Sequence, residues 1–474
     1  MKRHQIMFTL LILIFVVGCM NAGKPRLWDR EQDYGTDGEN LSIFHRVAEK
    51  DGGLGLKFPG YIVGIEKAYR DKIGQHGELE IINDDIFQGN DTYRKNVQKI
   101  LDDSKRTFVS HVVEYRLDTY KGYVKEDFFY SAYEKCQKPG DAYLKGFLAL
   151  DELRNRLASD ETPYTHIFLY SMGWNTDQQE SLRNYNSLVS QLIKEHRGST
   201  PFKPLFIGIS WPSEWRSKFL GGFISSLSYS VKADDADEVG ILWVNRILWN
   251  ILVPLKKERN IPLILIGHSF GARVITRAIF SHGLIDPEKI NKESPETRQK
   301  STYDIDLAIG LQGAFSINRF IPGEGEEGSP YRTFSTNTYV KKFVFTWSRY
   351  DFANPIARFF TGASHMGGRY GYEQSLKYQC LFDHFTIEVG GVDCNYDADF
   401  KVVKKEDTQQ GEKRIQPDWD ESFSHTEKIS IVNASELIKN TPYGKRGGAH
   451  SDIYTSGIAR FIWDCINHVD STDK

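Results

Sequence analysis

Five cysteines in 474 residues, with no Cys-x-x-Cys pair among them, leave neither a zinc ribbon nor a dense disulfide scaffold as the basis of the fold. There is no excess of either charge: 60 Lys and Arg stand against 63 Asp and Glu, a formal net charge of −3. A phosphate backbone attracts a basic surplus, so nucleic acid is not expected as a partner. With 26% charged residues against 40% hydrophobic ones, a polytopic membrane protein is excluded as well. Repeats of about 20–50 residues are missing, and so are a His-Glu-x-x-His pair, a phosphate-binding P-loop and a dinucleotide fingerprint. No metal or nucleotide cofactor is therefore expected. What is present is a composition of 40% hydrophobic, 13% aromatic and 26% charged residues, which excludes a disordered chain and supplies a large core. The length fits one large α/β domain with insertions, or two to three smaller units.

The N-terminus runs from a basic Met1-Lys2-Arg3-His4 through IMFTLLILIFVV to Gly18-Cys19-Met20. A basic start and about a dozen apolar residues describe a secretory signal, too short for a spanning helix. Val16-Val17-Gly18-Cys19 resembles the lipobox of bacterial lipoproteins; the plainer alternative is an ordinary signal peptide with a chance cysteine. The resemblance implies that residues 1–18 are removed and that Cys19 becomes a lipidated first residue, anchoring the protein on the extracytoplasmic side of the envelope. Met20 after the cysteine, where an Asp could stand, favours the outer membrane in a Gram-negative cell. Cys136, Cys380, Cys394 and Cys465 then lie in an oxidising compartment. Cys380 and Cys394 flank DHFTIEVGGVD, a hairpin candidate that a bridge would close, although spacing alone does not decide it.

Residues 19–40 are polar and Gly-rich, as a tether would be, and residues 41–160 pack on or start the main domain. In that region 90–106 and 140–159 have helical apolar spacing and 108–115 reads as a strand. From 161 to 474 the rhythm becomes regular. Short apolar runs at 165–172, 204–211, 261–267, 304–313, 341–348 and 428–437 alternate with helical patterns at 178–197, 239–252, 271–281 and 456–466. Strands that are apolar on both faces and alternate with helices predict a mostly parallel sheet with helices on both faces. Insertions are expected at 212–238, aromatic-rich and lid-like or simply covering the core, and at 352–427.

The strongest chemical signal is IPLILIGHSFGARVITRA, in which a β-branched strand enters Gly267-His268-Ser269-Phe270-Gly271 and leaves as a helix. That context gives a Gly-x-Ser-x-Gly pentapeptide its meaning: small residues let the chain turn sharply enough to present the Ser269 hydroxyl. The following helix directs its N-terminal dipole at developing negative charge. Here the chain resembles the α/β-hydrolase superfamily, and within it the bacterial branch marked by an HGW motif, a WP dipeptide and GHSxGAR. The match is close over 162–285 and holds in order over 300–470.

The resemblance implies a fold, an activity and a site. The fold is the α/β-hydrolase sheet, and the activity is a membrane-anchored serine hydrolase acting on small-molecule or lipid esters. Superfamily order puts an acid and then a histidine after the serine. Asp351, just past the KKFVFTWSRY strand, is the candidate acid; Asp304 and Asp306 begin their strand at the wrong end. Among His365, His384, His425, His450 and His468, the candidate base is His450, in a loop after the last strand, with His365 its main competitor. His268 is read as structural. The oxyanion hole is assigned to the backbone N–H groups of Phe270 and, by resemblance, Trp174. Met172 stands where the relatives carry His, which weakens the expected support of that loop without removing either N–H. An inactive binding or scaffold lipoprotein on the same fold, or an acyltransferase, are the alternatives.

Overall fold

The computed structural model describes residues 60–69, 91–102, 105–117, 124–136, 139–174, 176, 178–198, 201–213, 229–284, 303–321, 330–331, 339–354, 364–378, 381–389, 400–404, 428–440 and 448–471. The expected leader at 1–18, the lipidation site Cys19 and the tether at 19–40 lie outside them, as do Cys380, Cys394 and His425.

One mostly parallel sheet of eleven strands organises the chain: β1 (Gly60–Tyr69), β2 (Lys105–Leu117), β3 (Val124–Ser131), β4 (His166–Ser171), β5 (Pro204–Ser210), β6 (Leu263–His268), β7 (Ile305–Leu311), β8 (Val340–Trp347), β9 (Asp383–Val389), β10 (Phe400–Lys404) and β11 (Ile429–Asn433). Their order across the sheet is β10-β9-β11-β8-β7-β6-β4-β5-β1-β2-β3. The eight strands from β9 to β1 are mutually parallel, and only β10, β2 and β3 run antiparallel to their neighbours. β5 and β6 are buried at every residue, so both faces are covered, as their unbroken apolar runs predict.

The helices that cover them are α1 (Asp91–Leu101), α2 (Pro139–Ser159), α3 (Gln178–Glu195), α4, α5 (Phe270–Ile279), α6 (Arg369–Ser375) and α7 (Ser456–Ser471). α4 opens as Tyr229–Val239 and continues through the π-turns Gly240–Val244 and Ile247–Leu252 into Val253–Arg259. Its stretch Lys232–Arg259 is long and apolar enough to cross a membrane, yet 89% of its most apolar window is buried inside the fold, where it packs on α5 as a core helix. α3 and α7 pack on each other.

Two stretches read as insertions belong to this framework. Residues 229–238 are the first turns of α4, and 369–389 with 400–404 supply α6 and the edge strands β9 and β10. DHFTIEV forms β9, and its antiparallel partner is Phe400–Lys404. Likewise β1 and β5 join the 41–160 region to the same sheet.

Chain order locates the crevice. From β4 the chain passes through α3 to β5 on one side, returns through α4 to β6 on the other side of β4, and then proceeds outward to β7 and β8. At such a reversal the connections leaving the carboxyl ends of the two central strands diverge, opening a cleft there. The turns after β4 and β6, 172–174 and 269, flank that point.

Candidate active site

Ser269 occupies the turn between β6 and α5 with φ 56° and ψ −120°, a conformation costly for a side-chain-bearing residue and typical of a nucleophile elbow. The strain is held from β7: Ser269 N–H donates to the Leu311 carbonyl at 2.9 Å, and Ala314 N–H donates to the Ser269 carbonyl at 3.1 Å. Gly271 permits the close approach this turn needs, because a Cβ there would stand 1.9 Å from the Ser171 carbonyl oxygen at the end of β4.

The loop after β4 lies directly on the elbow. A Cβ added to Gly173 would come within 3.0 Å of the Ser269 Cβ and of His268 Nδ1. Trp174 follows it, and its ring is 6.4 Å from that of Phe270. Phe270 opens α5, where backbone N–H groups point out of the helix end. The two residues assigned to the oxyanion hole thus belong to segments in contact at Ser269.

Asp351 and His450, 99 positions apart, meet: His450 Nδ1 lies 2.8 Å from Asp351 Oδ2. Asp351 sits four residues past β8 and His450 follows β11, parallel neighbours in the sheet. The two loops are stitched by a bridge between Asp351 and Gly448 and by Ala449 N–H donating to the Tyr350 carbonyl at 2.8 Å. Gly448 has φ 63°, and a Cβ there would be 2.3 Å from the Tyr350 carbonyl oxygen, so this crossing requires glycine.

The Asp351 carboxylate is buried and saturated with donors. Oδ1 accepts from the N–H groups of Ala353 (2.9 Å) and Asn354 (3.2 Å). Oδ2 accepts from Asn354 Nδ2 (2.8 Å) and Gln312 Nε2 (3.1 Å) in addition to His450. A carboxylate surrounded in this way is acceptor only, so His450 Nδ1 carries a proton and, in the neutral ring, Nε2 holds the lone pair of a base. Gln312 is placed for its task by φ 53° and by its contacts with Thr346, whose hydroxyl lies 3.1 Å from the Gln312 N and 3.2 Å from Oε1. Neither Gln312 nor Asn354 was marked by the sequence: an amide residue just past a strand has the same signature as any turn.

His268 proves to be a structural link. Its Nε2–H donates to the His450 carbonyl at 2.9 Å, and the two rings are 5.0 Å apart. Burial, reinforced by nearby His450, pushes His268 down to about 3, so it remains neutral and keeps the donor this bond requires. The other sequence candidates have different partners. His365 forms a backbone bridge with Ser316. His384 is on β9 with Nε2 2.8 Å from Ser375 Oγ. His468 is in the last turn of α7. Asp304 and Asp306 pair with Lys257 (2.7 Å) and Lys256 (2.6 Å) at the opposite end of the sheet. Among the described residues no group of three or more His, Cys, Asp or Glu is placed to hold a metal ion.

Buried neutral histidines set an acid limit on stability. His111, on β2, is also pushed down to about 3 by burial. In the unfolded chain both titrate near the ordinary histidine value of 6.5, so between there and 3 the unfolded state binds two protons that the folded state does not. Stability is therefore full above pH 6.5 and falls with decreasing pH. Urea unfolding should show a loss of about 4 kcal/mol from these two groups between pH 7 and pH 5. His111→Gln should halve the dependence; a flat profile would show that these rings are protonated in the native state.

Comparison with protein families, curated proteins and solved structures finds no match.

Proposed function

We propose that this chain is a serine hydrolase of the α/β-hydrolase fold, cleaving carboxylic esters through an acyl-enzyme. The observation that carries the reading is the Asp351–His450 pair: a buried, donor-saturated carboxylate 2.8 Å from an imidazole, on loops that follow adjacent strands, at the end of the sheet where Ser269 sits in its strained turn. In the proposed cycle the Ser269 hydroxyl attacks the ester carbonyl while His450 Nε2 accepts its proton, and Asp351 stabilises the resulting imidazolium. The N–H groups of Phe270 and Trp174 hold the negative oxygen. The tetrahedral adduct collapses as His450 returns the proton to the departing alcohol. Water, deprotonated by His450, then releases the acid and restores the serine. Residues 1–20 support an envelope lipoprotein anchored through Cys19, for which loss of metabolic palmitate labelling in Cys19→Ala is the check.

A fluorophosphonate probe decides the enzymatic reading. The purified protein should be labelled covalently at Ser269, with labelling absent in Ser269→Ala. A wild-type protein that never labels and hydrolyses no p-nitrophenyl ester would instead leave a binding or scaffold lipoprotein. Product formation with an added alcohol that exceeds hydrolysis would identify an acyltransferase.

A further inference from the structure

The turn that follows β5 grips the loop after β4 at two points. The Trp211 indole Nε1–H donates to the Met172 carbonyl at 3.0 Å. The Ser213 hydroxyl accepts from Thr176 N–H at 3.1 Å and donates to the Thr176 carbonyl at 2.8 Å, occupying both backbone groups of one residue. Trp211 and Ser213 are buried, at 2% and 0% exposure, so neither bond competes with bulk water. The Met172 side chain is fully buried and offers only a thioether, a weak acceptor that cannot orient the backbone by hydrogen bonding.

From this arrangement we infer that Trp211 and Ser213 are the positioning residues of the oxyanion loop, supplying the order that residue 172 does not; the inference rests on the serine-hydrolase reading. A peptide unit is planar, so fixing the Met172 carbonyl also fixes the direction of the Gly173 N–H on its far side. Two residues beyond Trp174, Ser213 fixes the Thr176 backbone. The Trp174 amide is thus bracketed between two anchored peptides. The grip is itself held from behind. Lys232 on α4 donates to the Pro212 carbonyl at 2.6 Å while paired with Asp235 at 3.0 Å, and Asp235 also pairs with Lys67 of β1. Pro212 is therefore fixed to a buried ion cluster, and the loop after β4 inherits that rigidity through its two neighbours.

The test uses the full protein with Trp211→Phe, Ser213→Ala and Ser213→Thr. The measurements are kcat and KM on p-nitrophenyl butyrate, normalised to active sites titrated with fluorophosphonate, and the labelling rate itself. A loop displaced by a fraction of an ångström loses transition-state contacts and keeps ground-state binding. Trp211→Phe and Ser213→Ala should each lower kcat and labelling rate by about 10²-fold, with KM within about threefold of wild type. Ser213→Thr, which keeps the hydroxyl, should recover to within about fivefold. Should Ser213→Ala fail to fold, Trp211→Phe alone decides, since it removes the N–H at the other anchor and keeps an aromatic ring there. A loss carried by KM, a kcat unchanged in Trp211→Phe, or a Ser213→Thr no better than Ser213→Ala would each overturn the inference while labelling of wild type upheld the hydrolase. A wild type that never labels overturns the hydrolase reading, and this inference falls with it.

Discussion

Replacing Asp351 by asparagine is expected to lower kcat for ester hydrolysis about 10⁴-fold while leaving the fold intact. Five donors converge on this carboxylate, three on Oδ2 and two on Oδ1. An asparagine must place its NH₂ on one of the two sides. On the Oδ1 side it would oppose two backbone N–H groups that cannot rotate. It will therefore turn its NH₂ toward Gln312, Asn354 and His450, because the two amides can flip and the imidazole can change tautomer. His450 Nδ1 then becomes an acceptor and the proton moves to Nε2, so the nitrogen meant to take the serine proton no longer has a lone pair. Neutral charge at residue 351 also removes the partner of the imidazolium formed in the transition state. The loss should appear in kcat, with KM and melting temperature near wild type. His450→Ala should abolish fluorophosphonate labelling, whereas His365→Asn should retain it. Equal rates for wild type and Asp351→Asn would mean that the 2.8 Å pair has no part in catalysis.

The site and the sheet were legible in the sequence to different depths, for one physical reason. Strands β4 to β8 and β11 show themselves because burial on both faces demands uninterrupted apolar residues, and the elbow because a strand, a tight turn and a helix follow one another within the pentapeptide's own neighbourhood. Asp351 could be chosen from its position just past β8, and His450 from its place in the loop before the last helix. By contrast β1 carries Glu66 and Lys67, and the first turns of α4 carry Asp234, Asp235, Asp237 and Glu238, so both segments resemble solvated surface. In the structure Lys67, Asp235, Asp237 and Glu238 are buried, because each meets a partner from a distant part of the chain. Glu238, for example, accepts from the Thr107 N–H at 2.8 Å and from its hydroxyl at 2.9 Å, 131 residues away. Hydropathy registers that such residues are charged but not that the charge is matched. Gln312 and Ser213 escaped notice on the same ground: their roles consist of hydrogen bonds across 34 to 39 positions, whereas Asn354, three residues past Asp351, has the signature of an ordinary turn.

The most consequential of these buried charges for stability is Asp237. Its carboxylate receives two guanidinium groups: Arg273 through Nε (3.0 Å) and Nη2 (2.8 Å), and Arg319 through Nη1 (3.1 Å) and Nη2 (2.8 Å). Tyr331 extends the cluster, accepting from Arg319 Nη1 at 2.6 Å and from the Thr276 hydroxyl at 3.2 Å. Burial alone would raise the Asp237 carboxyl; Arg273 and Arg319 outweigh it and hold the group far below the usual carboxylate range. Arg273 lies one turn beyond Ser269 on α5, so this cluster ties α5 to α4 and to the segment after β7. Asp237→Ala leaves two buried cations without their acceptor, and the expected cost is about 3–5 kcal/mol. Against a total of about 5–15 kcal/mol for an ordinary domain, a loss of that size brings the protein close to unfolding at 37 °C. Asp237→Asn should be nearly as damaging, because an amide offers one acceptor oxygen to four N–H donors and brings donors of its own. If uncompensated charge is the cause, then exchanging all three residues for apolar ones of similar volume (Asp237→Leu, Arg273→Met, Arg319→Met) should recover most of the loss, since a buried ion cluster and a well-packed apolar one are close in free energy. Urea unfolding of the three proteins separates the explanations: a triple variant as unstable as Asp237→Ala would assign the cost to lost packing, and an Asp237→Ala within about 1 kcal/mol of wild type would show that water reaches the cluster and takes over the role of the carboxylate.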